Sequence, residues 1–470
     1  MTQHLRPWAP SQSRPFDVRA AAHLLRRAGF GASPADIAKA VDQGLEATVD
    51  GLFDPAADEE AEFERTLAAV QDGFVNFDDI SYVQGWWLYR MLRTRVPLKE
   101  KLTLFWHGHF ATSYLKVDDA YLMHRQIQML RALGAGSFRD LVLAVAKDPA
   151  MLVYLDGASS GKEHPNENFA RELMELFTCG IGHYGEQDVL EAARAFTGWY
   201  RNSAGSASFN ADEHDAGRKQ FLGLSGRFDG ADIIDILMQQ PATPRWIAGK
   251  LLNFFASPDP AADVLDEAAG LLDRTQMNIK WFLRELFLSD YFFSKACYRQ
   301  QIASPAEYVV GTIRTLRAHV SGSNLLSHME TMGQTLLEPP NVKGWDGQRK
   351  WINSSTWTAR LEFANFFAML DSNSPVGDRL DLKSLVPDDL AWREPGLARR
   401  KSPERVVAWL ADVLLQGELD DASRSKLATL LVTGDDGENR EAFRDDADFR
   451  HQRIRAVLAA MLSLPAYHTC

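Results

Sequence analysis

The sequence predicts an all-α protein: a large multi-helix body, a small helical C-terminal bundle and at most a minor β-hairpin. Three observations lead there. Apolar residues recur at spacings of three and four in one segment after another. Helix-starting residues stand just ahead of those segments, and alternating strand patterns are nearly absent.

Taken in order, Ser33 followed by Pro34 is an N-cap with proline at the first helical position, and the helix it opens closes at Gly44. Asp78 and Asp79 precede ISYVQGWWLYRMLRTR, Pro97 opens LKEKLTLFWHGHF, and Asp118 and Asp119 open AYLMHRQIQMLRALGAG. Ser137 caps FRDLVLAVAKD. Further helices read in NENFARELMELFTCG, EQDVLEAARAFTGWY, ADIIDILMQQ, TPRWIAGKLLNFFA, IKWFLRELFLSDYFF, SPAEYVVGTIRTLRAHV and STWTARLEFANFFAML. The stretch 200–230 is too long for a plain connector and is the one place for a hairpin or an ordered functional loop.

A division follows from composition. Residues 1–17 form an N-terminal extension, 18–370 the helical core, 371–402 a polar linker rich in Pro and Gly, and 403–470 the C-terminal bundle.

Charge and cysteine content narrow the function. The chain of 470 residues carries a net charge of -12 without a long basic block, so nucleic acid is not an expected partner. The three cysteines, Cys179, Cys297 and Cys470, are too few and too scattered for a disulfide framework. The N-terminus lacks the apolar stretch of a signal peptide, and no apolar run is long enough to span a bilayer. A cytoplasmic protein without membrane insertion is the expectation, with export alongside a partner left open. A Walker-type phosphate loop and HExxH are missing, and no GxGxxG follows a strand pattern.

Several polar groupings have the residue types of a metal or catalytic site. His107 and His109 have the His-x-His spacing of metal ligands, but sit at a helix end where residues two apart diverge by about 200°. Glu172 and Glu175 lie one helical turn apart beside an apolar stripe of Phe169, Leu173, Leu176 and Phe177, with Glu167 and Arg171 as an i,i+4 pair. Paired carboxylates of this kind occur in helix-borne metal sites, and also in plain ion-pair ladders. His214 and Asp215, with Lys219 nearby, offer a general base and a ligand, or a network that fixes the loop. His183 and Tyr184 form a weaker grouping. Trp345, Trp351 and Trp357 beside Asn341, Asn353 and Arg360 suit a binding wall or a closure over the core. Lys250, in an apolar helix, reads as a snorkelling or paired lysine.

The segment NENFARELMELFTCGIGHYGEQDVLEAARAFTGW at 166–199 resembles the signature of a bacterial family catalogued as domain of unknown function 1800. HLLRRAGFGASP, FWHGHFATS, MLVYLDG, HDAGRKQFLG, QPATPRWIAGKLLNFF and EPPNVKGWDGQRKWINSST agree with it in order. The resemblance implies an all-helical fold and a plausible partner from a second uncharacterised family that looks like the sulfatases. Many relatives look like ELHTLG where this chain has ELFTCG, so Phe177 occupies a common histidine position.

Two functions are therefore expected. One is a metal-dependent enzyme, a hydrolase of a glycan or a peptide, with a divalent ion. Its catalytic residues would be Glu167, Glu172, His214 and Asp215, its metal ligands His107, His109 and Glu175, and its substrate contacts Arg171, Trp345 and Asn353. The other is a non-catalytic helical scaffold or maturation factor for the sulfatase-like partner.

Overall fold

The computed structural model describes residues 4–54, 57–74, 76–202, 205–370, 378–387 and 402–470. These residues are predominantly helical, with three two-stranded antiparallel sheets among them. The expected caps form. Ser33 and Asp36 make a capping box at the Pro34–Gln43 helix, while Asp79, Asp119 and Ser137 cap the Ile80–Arg93, Ala120–Leu133 and Phe138–Ala146 helices. In each case a side-chain oxygen satisfies an N–H that the first helical turn leaves without a partner.

Some helices were not evident from periodicity. Ala57–Phe74 is charge-rich, and Ala262–Arg274 buries only Val264, Ala268 and Leu272, a narrow stripe at spacings of four. No helix among the described residues is long and apolar enough to cross a membrane.

The long segment after Trp199 holds two hairpins. Trp199–Arg201 pairs with Ala207–Phe209, setting Trp199 opposite Phe209, and Lys219–Phe221 pairs with Leu224–Gly226.

The chain divides into two compact units, each built from several stretches of sequence. One comprises residues 1–9, 46–297 and 335–346, the other 10–45, 298–334 and 347–470. Residues 403–470 thus share a unit with segments from much earlier in the chain. Within it the Ala447–Leu462 helix packs on Ser354–Ala368, and Arg299 pairs with Glu418. Of the expected linker, 371–377 and 388–401 lie outside the described residues, and Leu382–Leu385 forms a short helix between them.

The first unit holds most of the candidate site residues. Its buried centre includes an ionic cluster: Glu100, fully buried on the Pro97–His109 helix, accepts from Arg131 Nε at 2.8 Å and Trp87 Nε1 at 3.2 Å.

Candidate functional site

The Pro97–His109 helix stays helical through Gly108, and this decides the fate of the two histidines. Their rings point to different surroundings. His107 is fully buried against Trp87 and Trp345, with both ring nitrogens unbonded among the described residues. Burial holds its pKa down at about 3, so the ring is neutral. His109 instead faces Phe105, Phe110 and Phe177, and its Nε2 lies 3.0 Å from the Phe177 carbonyl. A carbonyl only accepts, so Nε2 carries the proton. Burial first, and then the nearby Lys250 ammonium, lower this ring to about 3, against the Phe177 bond.

The carbonyl that His109 meets belongs to a π-helical turn. After Glu167–Glu172 the chain widens into a π turn over Leu173–Thr178, where Thr178 Oγ1 donates to the Leu173 carbonyl at 2.6 Å. The wider turn shifts the expected apolar stripe. Phe169, Leu173, Met174 and Phe177 are buried, while Leu176 is only half-buried. Its carbonyls take donors from distant segments, with Trp246 Nε1 donating to Leu176 O at 2.8 Å. Such turns are frequent at functional sites.

Four segments distant in sequence therefore meet at one helix end. Besides 105–109, 173–178 and Trp246, the 341–346 loop presses Gly344 against the Gly108 carbonyl and lays Trp345 edge-on to His107. Lys250, one helical turn after Trp246, rests its ammonium over the Trp246 ring, 4.7 Å from the centroid.

The carboxylates are arranged differently from the expected ligand set. Arg171 binds Glu186 through both terminal nitrogens at 3.0 and 2.8 Å and Glu167 at 3.0 Å, forming an ion-pair ladder. Glu172 and Glu175 do lie together. Burial and then the Glu175 charge raise the Glu172 carboxyl, while Tyr184 hydrogen-bonds Glu175 and is pushed up to about 12, chiefly by burial. No group of three or more His, Cys, Asp or Glu side chains that could hold a metal ion exists among the described residues. The expected ligands His107, His109 and Glu175 are thus not assembled, because the two histidines diverge and each is enclosed by aromatic rings. Asn353 caps the Ser354–Ala368 helix, accepting from Thr356 N at 3.0 Å, and belongs to the other unit.

His214 and Asp215 part company as neighbours in sequence do. Asp215 accepts from Arg194 Nε at 2.7 Å and Nη2 at 3.2 Å, which lowers its pKa and fixes the loop. Lys219 is buried, with its ammonium on the carbonyls of Asp215 and Gly217. His214 joins this network through Thr197, whose Oγ1 accepts from Asp215 N at 2.9 Å. The His214 Nδ1 lies 3.0 Å from the Thr197 carbonyl, which only accepts, so Nδ1 carries a proton and the tautomer with its lone pair on Nε2 is the one that fits.

His214 also lines a hollow of ≈ 260 Å³ with Trp199, Phe209, Lys147 and Asp229. The hairpin register sets Trp199 against Phe209, ring centroids 5.3 Å apart, and Phe209 against His214 at 5.4 Å. The Lys147 ammonium sits 5.2 Å from the Trp199 ring centroid. Asp229 caps the Gly230–Met238 helix. Sequence reasoning picked out His214 and the long loop but missed Lys147, Trp199, Phe209 and Asp229. Trp199 at the end of the signature segment was the one available signal.

A family described as "Protein of unknown function (DUF1800)" matches residues 23–469. No curated protein and no solved structure matches the chain.

Proposed function

The chain belongs to this DUF1800 family, and we propose that it binds a polar, ring-bearing ligand, a saccharide by class, in the hollow beside His214, and acts on it as a hydrolase. One observation supports the reading above others. His214 is oriented by the Thr197 carbonyl so that Nε2 is its proton acceptor, on the wall of a hollow faced with Trp199 and Phe209. Aromatic rings offer a flat apolar surface for the C–H face of a sugar ring, and Lys147 and Asp229 are polar residues of the same lining. A proton acceptor in this position suits activation of a water or a ligand hydroxyl. No step is assigned to a divalent ion, because His107, His109, Glu172 and Glu175 do not share one centre.

The test separates binding from turnover. Titration calorimetry with a panel of oligosaccharides should find a ligand that the wild type binds and Trp199→Ala binds at least roughly tenfold more weakly. His214→Gln should keep that binding and lose hydrolysis. Absence of saccharide binding by the wild type sinks the proposal. It would return weight to the non-catalytic scaffold for a sulfatase-like partner.

A further inference from the structure

Two arginines line a single cavity of ≈ 580 Å³ whose walls belong entirely to the second unit. That volume is in the range of small-molecule sites. Among the described residues, neither the Arg317 nor the Arg379 guanidinium makes a hydrogen bond, an ion pair or a ring contact. Asp381 is the one acid among the described lining residues, so two guanidinium charges stand against one carboxylate. In a chain with a net charge of -12 this is a local excess of the opposite sign.

The backbone brings the two arginines to the same cavity. His319 and Arg379 form an antiparallel bridge, in which Arg379 N donates to the His319 carbonyl at 2.7 Å and His319 N to the Arg379 carbonyl at 3.0 Å. Asp378 anchors the start of that segment to the Gly322–Thr331 helix, accepting from Asn324 Nδ2 at 2.6 Å. Arg317 stands two residues before His319 and ends the Pro305–Leu316 helix at φ +53°. Glycine is the unstrained residue in that left-handed position, so the backbone gives no reason for an arginine there. What the position supplies is the guanidinium. Trp409 closes another wall: the Leu385 carbonyl takes its indole N–H at 2.9 Å, which leaves the ring as apolar lining beside Leu316 and Val413.

We infer that this cavity binds a small organic monoanion, a carboxylate on an apolar body. A guanidinium presents paired N–H groups that match the two oxygens of a carboxylate. The excess of one positive charge over Asp381 suits a single negative charge, and the apolar wall receives the rest of the ligand. The hollow beside His214 belongs to the other unit, so the saccharide reading and this one can fail separately.

The experiment titrates the full chain with benzoate by ligand-observed NMR, with benzyl alcohol as the neutral analogue and phenyl phosphate as the more highly charged one. The wild type should bind benzoate, and should bind benzyl alcohol at least roughly tenfold more weakly and phenyl phosphate more weakly. Arg379→Met and Arg317→Gly should each lose benzoate affinity by roughly tenfold or more. Arg317→Gly also relieves the left-handed position, so without ligand it should unfold at the same or a higher temperature than the wild type. That separates lost binding from lost folding. A wild type that does not bind benzoate, or binds benzyl alcohol equally well, overturns the proposal. So does a folded Arg379→Met or Arg317→Gly with wild-type affinity for benzoate. Tighter binding of phenyl phosphate than of benzoate overturns the carboxylate assignment.

Discussion

The imidazole of His109 donates its Nε2 proton to the carbonyl of Phe177, 3.0 Å away and 68 residues later in the chain. The bond ties the end of one helix to a π-helical turn whose Leu176 and Phe177 carbonyls take their donors from distant segments. His109 is thereby occupied with structure.

Replacing His109 tests that role. His109→Leu keeps the apolar packing but leaves the Phe177 carbonyl buried without this donor, a loss of about 1–3 kcal/mol. His109→Gln restores a donor and should recover part of it. Urea unfolding of both variants reads the difference. Equal stability of His109→Leu and the wild type would remove the bond from any account of the turn.

The neighbouring histidine should behave in the opposite way. His107 has two buried ring nitrogens without a hydrogen-bond partner among the described residues, and its ring packs on Trp87 and Trp345. His107→Phe should be neutral or stabilising by about 1 kcal/mol, as burial of an unbonded polar group costs at least that much. A large destabilisation in urea would mean that a bound water or ion holds the ring.

Much of this was legible in the sequence, and the rest fails for identifiable reasons. Ser33, Asp79, Asp119 and Ser137 announce their helices because a cap is a local event. The π turn at Leu173–Thr178 is invisible to a count at 3.6 residues per turn, so Met174 and Leu176 exchange their expected burial. His107 and His109 looked like ligands by spacing, yet helical geometry sends them apart. The hollow beside His214 depends on a hairpin register that pairs Trp199 with Phe209, and no local pattern encodes that pairing with Lys147.

Acid should destabilise the first unit through these histidines. His107 and His109 have pKa values of about 3, against 6.5 for an exposed imidazole. The unfolded chain binds protons that the folded one refuses, so their contribution is complete above pH 6.5 and is lost as pH falls towards 3. Each adds a slope of up to about 1.4 kcal/mol per pH unit. Asp148 opposes them. Burial raises it from 3.8 to about 6, so its ionisation costs stability as pH rises through that window. Between pH 6 and 4 two imidazoles outweigh one carboxyl, and the wild type should lose stability on acidification. In His107→Phe that loss should be shallower by close to one proton, read from urea midpoints at several pH values. An unchanged slope would show that His107 is protonated in the folded protein.

Two glycines in contact make the sharpest test of how the 341–346 loop is seated. Gly344 has φ +81°, and a Cβ there would lie 2.1 Å from the carbonyl oxygen of Gly108, a backbone atom that cannot step aside. Gly108 is itself helical, and a Cβ on it would meet only the edge of Trp345 at 3.9 Å, an ordinary contact. The pair should therefore respond in opposite directions. Gly108→Ala should be tolerated and stabilise by up to about 1 kcal/mol through helix propensity. Gly344→Ala should cost at least about 1–3 kcal/mol from the positive φ alone, with the clash added to it. The loop can relieve that clash only by lifting from the helix end, which withdraws Trp345 from His107. Tryptophan fluorescence and limited proteolysis of the folded variants would report the lifting. A Gly344→Ala protein with wild-type fluorescence and stability would show that the loop is not seated on Gly108.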